Sequence, residues 1–229
     1  MREIVLDTET TGLNPEKGDR IVEIGCVELE NHLPTGKTYH QYINPMRAIS
    51  EEVVRVHGLT EEFLSDKPIF SEIADEFLAF VGENTPLVIH NAAFDMNFLN
   101  TELKACGKSI LSEESVVDTL LIARKKFPGA KVNLDELCKR FHVDASRRTV
   151  HGALLDAELL ADVYLELVTD RELNFSTSKK NQQNQSVSKN LKNVSRETFP
   201  VREWKITPAE EQAHAEFLTK IKNPIWEEA

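Results

Sequence analysis

The stretch Arg2-Glu3-Ile4-Val5-Leu6-Asp7-Thr8-Glu9-Thr10-Thr11-Gly12 passes from an apolar run to two acids within a few residues. In a strand, residues two apart share a face, so Asp7 and Glu9 point the same way. Side-by-side carboxylates repel each other unless one is protonated or a cation bridges them. A divalent metal resolves that repulsion, which makes the pair the first half of a metal-and-phosphate hypothesis. Taken alone the pair says little, because most D-x-E pairs on strands are solvated faces. The rest of the chain must supply the other half.

Working outward, residues 4–7, 20–30 and 37–44 read as strands, the second with apolar Ile21, Val22, Ile24, Val27 and Leu29 among polar positions. Asn14-Pro15 and Pro34-Thr35-Gly36 between them are turn material, so an antiparallel meander is expected. A capped helix start follows at Ser50-Glu51-Glu52-Val53. Residues 71–81 carry Ile73, Phe77, Leu78 and Val81 at helical spacing. A short strand at 87–90, a helix at 93–106 closed by Gly107, and a strand at 116–117 ending in Asp118 come next. Helices are expected over 133–141, capped by Asn133, and over 152–168. Strands first and then a strand–helix alternation predict an α/β fold, a mixed five-stranded sheet flanked by helices.

The 229 residues carry a net charge of -11, unevenly spread: -13 over residues 1–175 and +2 over 176–229. An acidic body is a poor sequence-independent nucleic-acid binder, because such binding rests on phosphate neutralisation. If the substrate is a nucleic acid, something else must help to hold it. No apolar run is long enough to span a bilayer, and no secretory signal pattern is visible. Cys26, Cys106 and Cys138 are scattered and show no C-x-x-C spacing, which argues against a disulfide framework or a zinc site. A cytoplasmic location fits best.

Composition changes sharply after Phe175. Residues 176–195 are Ser, Asn, Gln and Lys with few apolar side chains and no acid, too little to bury a core. They read as a flexible linker, spanning about 25 Å if coil-like. The tail, 196–229, regains structure. Thr207-Pro208-Ala209-Glu210 is a capping box with Pro at the first helical position. Ala213, Phe217 and Ile221 follow on one face, and Trp204 and Trp226 flank the helix. Tryptophan is a preferred interface anchor.

Three further residues complete the chemistry. Asp95, in His90-Asn91-Ala92-Ala93-Phe94-Asp95, falls in the first turn of a helix. Asp156 stands among Ala153, Leu154, Leu155, Ala157, Leu159 and Leu160, where little is polar. His151 lies five residues earlier. Five residues turn about 140° around a helix, so His151 belongs in the loop before the helix, free to lean over the site. Each has an ordinary explanation: a dipole-complementing acid, a surface acid, a loop histidine. Jointly these explanations weaken, since acids at the margins of apolar elements are costly unless paired or metal-bound.

The motifs Asp7-Thr8-Glu9-Thr10-Thr11-Gly12 with Ile21-Val22-Glu23-Ile24-Gly25, His90 to Asp95, and His151-Gly152-Ala153-Leu154-Leu155-Asp156 resemble the three exonuclease motifs of the DEDDh family. The resemblance covers residues 3 to about 168. It is strongest to the proofreading branch that accompanies bacterial replicative DNA polymerases, which Val56-His57-Gly58-Leu59-Thr60 and Ala123-Arg124-Lys125-Lys126-Phe127-Pro128-Gly129 also resemble. It implies an RNase H-like fold and hydrolysis of nucleotides from a DNA 3′ terminus. It assigns Asp7, Glu9 and Asp156 to the first of two divalent cations, with Asp7 bridging to the second and Asp95 in support. Oxygen ligands suit Mg²⁺ or Mn²⁺, and two such ions about 4 Å apart stabilise attacking and leaving oxygens. His151 is the implied general base. Glu52 and His57 are the implied lining of the terminal-nucleotide pocket. Thr10 and Gly12 would allow close backbone approach to the nucleotide, and Arg147-Arg148 and Lys125-Lys126 are phosphate candidates.

The resemblance also implies partners. Residues 1–175 would form the exonuclease domain, 176–195 the linker, and 196–229 a segment binding the polymerase catalytic (alpha) subunit. A tether of this kind raises local concentration to about millimolar. Asp170-Arg171-Glu172-Leu173-Asn174-Phe175 resembles a sliding-clamp motif through Leu173 and Phe175, but Asp170 stands where Gln is expected. The alternatives are a free-standing exoribonuclease, which would not need the tail, and a silent scaffold bridging polymerase and clamp, against which the intact acids argue.

Overall fold

The computed structural model describes residues 1–148, 150–169 and 207–218, in two units described separately. The first is built on strands β1 (Arg2–Thr10), β2 (Ile21–Glu30), β3 (Leu33–Tyr42), β4 (Leu87–Ile89) and β5 (Val116–Asp118). They form one sheet in the order β3-β2-β1-β4-β5. The expected meander is there: β1 runs antiparallel to β2 and β2 to β3, while β4 joins β1, and β5 joins β4, in parallel. The helices are α1 (Glu51–His57), α2 (Glu61–Leu64), α3 (Phe70–Val81), α4 (Ala92–Ala105), α5 (Thr119–Lys126), α6 (Leu134–Phe141) and α7 (Ala153–Val168). This is the mixed α/β, RNase H-like arrangement.

The central position of β1 explains its solid apolar run, since both of its faces are covered. Ile4 and Leu6 pack with Phe70 and Phe77 of α3 and Phe98 and Leu99 of α4. Val5 packs on the opposite face with Ala157, Leu160, Ala161 and Tyr164 of α7. Burial of each such side chain stabilises by roughly 1.5–3 kcal/mol. The same alternation carries Asp7 and Glu9 onto the α7 face and Thr8 onto the α4 face.

Some expectations fail for local reasons. Pro34-Thr35-Gly36 is not the turn between the second and third strands but lies inside β3. The reversal is made by Asn31 and His32, both in the left-handed region (φ 52° and 67°), as a two-residue hairpin demands. The extra residues on β3 form a bulge, because Leu29 faces Pro34 while Val27 faces Thr38. An edge strand tolerates such a proline. Ser50 sits at the start of α1 but its hydroxyl makes no capping bond. Nothing in the sequence pattern predicts helices α2 and α5. The Asp118 carboxylate accepts from the Leu120 and Leu121 amides and so starts α5. Asn133 caps α6 as expected, accepting from the Glu136 amide at 2.9 Å.

The second unit contributes α8 (Pro208–Leu218). Its capping box is present: the Thr207 amide donates to Glu210 Oε2 at 2.8 Å and the Glu210 amide to Thr207 Oγ1 at 3.4 Å. Phe217 is 60% exposed. The linker 176–195, the clamp-like residues Asp170, Leu173 and Phe175, Ile221 and both tryptophans lie outside the described residues. Among the described residues no helix is long and apolar enough to cross a membrane, and Cys26, Cys106 and Cys138 are unpaired thiols.

Candidate active site

A cleft of about 410 Å³ opens at the end of β1. Asp7, Glu9, Asp95, Asp135, Arg148, His151 and Asp156 line it. Each element delivers its acid for a local reason. The pleat of β1 turns Asp7 and Glu9 toward α7. Helix α4 starts from Asn91 in the left-handed region (φ 69°) and brings Asp95 in from the other face. There the Thr8 hydroxyl donates to Asp95 Oδ1 at 2.7 Å. Asp156 lies in the first turn of α7, its amide bonded to the Gly152 carbonyl at 2.8 Å. His151 is in the loop ahead of that helix, as its spacing predicts. Its amide donates to the Val56 carbonyl at the end of α1, at 3.1 Å.

What lets α7 come so close is Gly25. It pairs with Asp7 across β1 and β2, and a Cβ there would collide with the backbone of Ala153 and Leu154. The start of α7 therefore rests directly on the sheet beside the acids.

Crowding sets the electrostatics. Burial, then the charges of Asp95, Glu9 and Asp156, hold the Asp7 carboxyl well above the usual carboxylate range. Burial and then Asp156 push Glu9 up to about 8. Burial raises Asp95 to about 7 against the opposing bond from Thr8. The Asp156 carboxylate beside it raises His151. Ligand atoms of Glu9, His151 and Asp156 lie within 4.8 Å of one another, the spacing of a group able to hold a metal ion. Oxygen donors under mutual repulsion, with an imidazole beside them, fit a hard divalent cation. Asp7 lines the same cleft without belonging to that close trio.

In the sequence Arg148 is only a phosphate candidate. Its Nε donates to Asp156 Oδ1 at 2.5 Å and its Nη2 to Asp156 Oδ2 at 2.6 Å. Nη2 also reaches His151 Nδ1 at 2.7 Å, and Nη1 bonds Asp135. Nothing in the spacing signalled this, because the contact depends on how the loop before α7 folds back. The other basic candidates lie elsewhere. Arg147 pairs with Glu158 at 3.5 Å. Lys126 reaches the Leu167 carbonyl at the far end of α7 from Asp156, at 3.2 Å.

The implied nucleotide-pocket residues are not on the cleft lining. Glu52 is exposed on α1. His57 is buried; its Nδ1 accepts from the Leu59 amide at 3.0 Å and its Nε2 has no partner. Burial lowers its basicity. The missing side chain of Gly12 makes room for the Asp19 carboxylate, and Thr10 Oγ1 donates to the Gly12 carbonyl at 2.6 Å.

The profile of the exonuclease family matches residues 4–164. The DNA polymerase III subunit epsilon of Rickettsia felis is 48% identical over 224 residues, covering 96% of this chain and 97% of that protein. The subunit of the same name from Escherichia coli is 42% identical over 229 residues, covering 96% and 93%. Among solved structures, exonuclease X in complex with 5′ overhanging duplex DNA superposes with a TM-score of 0.56 at 25% identity, over 72% of this chain and 89% of that one. A match of this extent to both the family profile and full-length relatives leads to one conclusion: the chain belongs to the exonuclease family, in the branch of the DNA polymerase III epsilon subunits.

Proposed function

We propose that this chain removes mispaired nucleotides from DNA 3′ termini as the proofreading subunit of a replicative polymerase. The observation that carries the reading is the convergence of Asp7, Glu9, Asp95, Asp156 and His151, from three separate stretches of sequence, on one cleft. Relatives named epsilon across nearly the whole length support the biological setting.

In this reading Asp7, Glu9 and Asp156 hold divalent cations, Mg²⁺ or Mn²⁺. Such ions, when bound, supply the charge that stabilises phosphodiester hydrolysis. The chain's own residues do the rest. Asp95, fixed by Thr8, keeps the acids aligned. His151 takes a proton from the attacking water at Nε2, with Nδ1 turned toward Asp156 Oδ2 at 3.3 Å. Glu52 and His57 receive the terminal nucleotide. A mispaired end has already lost pairing and part of its stacking, worth roughly 1.4 kcal/mol per step in a matched duplex. It therefore reaches the cleft more often, and the site need not recognise the wrong base.

Residues 1–175 form the catalytic domain in this reading, 176–195 the linker by composition, and 196–229 the segment docking on the polymerase alpha subunit. The exposed Phe217 on α8 supports a docking role. Leu173 and Phe175 would give at most a weak clamp contact.

The test is the purified full chain with Mg²⁺, offered matched and mismatched 3′-ended DNA and single-stranded RNA. Release of mononucleotides from DNA 3′ ends, faster from the mismatch, is the expected result. A preference for RNA would favour an exoribonuclease, and no release from any substrate a scaffold.

A further inference from the structure

We infer that Arg148 is a cationic latch on the active site, one that competes with divalent ions for Asp156 and holds His151 in the tautomer unable to act as base. The inference rests on the metal-site reading above and goes beyond it.

Three observations carry it. First, the guanidinium takes both oxygens of Asp156, at 2.5 and 2.6 Å. These are the oxygens the same carboxylate must offer to a cation held with Asp7 and Glu9. A planar fork matching a carboxylate at two points is the strong form of such a pair. Second, the Arg148 side chain is only 9% exposed and has a second carboxylate, Asp135, to rest on. It can release Asp156 without becoming an unpaired buried charge. Third, arginine has donors only. The 2.7 Å contact from Nη2 to His151 Nδ1 therefore requires that Nδ1 accept. In the neutral ring the proton then sits on Nε2, the nitrogen that must be vacant to receive one from water.

Release of Arg148 reverses both effects. Asp156 is freed for the cation, and His151 Nδ1 becomes protonated and donates to Asp156 Oδ2, now 3.3 Å away. The Nε2 lone pair is then available. No net proton is gained, since the ring stays neutral and only its tautomer changes. Arg148 is thus a positioning residue acting through Asp156 and His151.

The experiment uses the full chain. Calorimetric titration with Mn²⁺ compares wild type, Arg148→Ala and Arg148→Lys. Loss of the competitor should tighten binding on the order of tenfold in Arg148→Ala, within the usual range of coupling between sites, with Arg148→Lys between the two because a point charge cannot span both oxygens. On the wild-type chain alone, which needs no variant to fold, ¹⁵N resonances of the His151 ring should report the Nε2–H tautomer in chelator and the Nδ1–H tautomer after Mg²⁺. Arg148→Ala should show Nδ1–H even in chelator. Wild type binding Mn²⁺ while Arg148→Ala binds no more tightly would overturn the latch alone. An Nδ1–H ring in the wild type under chelator would do the same. A wild type that binds no Mn²⁺ would overturn the metal site and the latch together.

Discussion

Gly25→Ala adds one methyl group at the point where α7 rests on the sheet. The new Cβ would fall on the carbonyl carbon and oxygen of Ala153 and the amide nitrogen of Leu154, well inside the 3.0 Å that real Cβ atoms respect. These are backbone atoms, so no rotamer change relieves the clash and the first turn of α7 must retreat. Overpacking of this kind destabilises by about 1–3 kcal/mol. In a domain of this size that lowers the melting temperature by roughly 2–4 °C per kcal/mol. The effect on activity should be larger. Asp7 pairs with Gly25 and Asp156 rides on the displaced turn, so the contact separates the two acids. A misplacement near 1 Å can slow catalysis on the order of 100-fold. Thermal melting and initial rates of 3′ nucleotide release, both at 25 °C or above, measure the two effects separately. The variant should be folded at 25 °C yet slow, and adding Ala153→Gly should not rescue it, because the obstruction is main chain. Wild-type rate and stability in Gly25→Ala would refute the claim that this contact places Asp156.

Other outcomes follow from the same geometry. Asp7→Asn and Glu9→Gln should abolish activity while leaving the chain, in chelator above about pH 8, as stable as wild type or more so, because each removes a charge crowded among other acids; a lower melting temperature would contradict the repulsion. His151→Ala should retain Mn²⁺ binding while losing roughly 100-fold or more in rate; loss of binding instead would make His151 a ligand, as its place near Glu9 and Asp156 allows. Folded Glu9 sits at about 8 and Asp95 at about 7, above their ordinary 4.5 and 3.8. The folded chain therefore binds more protons than the unfolded one across that window. The stability these groups contribute is complete below about pH 4 and is lost as pH rises through about 8. Mg²⁺ should raise the melting temperature far more at about pH 8 than at about pH 5.5, and equal shifts at the two values would contradict the assignment.

Much of this site is legible in the chain because it depends on short-range periodicity. Alternation along β1 puts Asp7 and Glu9 on one face, and the helical repeat excludes His151 from the face of Asp156. Both hold in the fold. Glu52 and His57 came from resemblance alone, and the cleft lining does not include them. What the sequence hid is tertiary. Gly25 matters because a helix 128 residues later touches it, and Arg148 matters because the loop before α7 turns its guanidinium back onto Asp156. The hairpin at Asn31-His32 is masked in the sequence by the more conspicuous Pro34-Thr35-Gly36, which forms a bulge on an edge strand. Helix α5 is short and begins at an aspartate that also ends a strand, so neither pattern had room to show itself.

The central claim is that Glu9, Asp156 and their neighbours exist to hold divalent cations. Anomalous scattering from crystals of the full chain soaked in Mn²⁺ tests it most directly. A peak between Glu9 and Asp156, with Asp7 beside it and Arg148 withdrawn toward Asp135, is the predicted result. Crystals saturated with Mn²⁺ that show no peak in this cleft, with Arg148 still on both oxygens of Asp156, would contradict it.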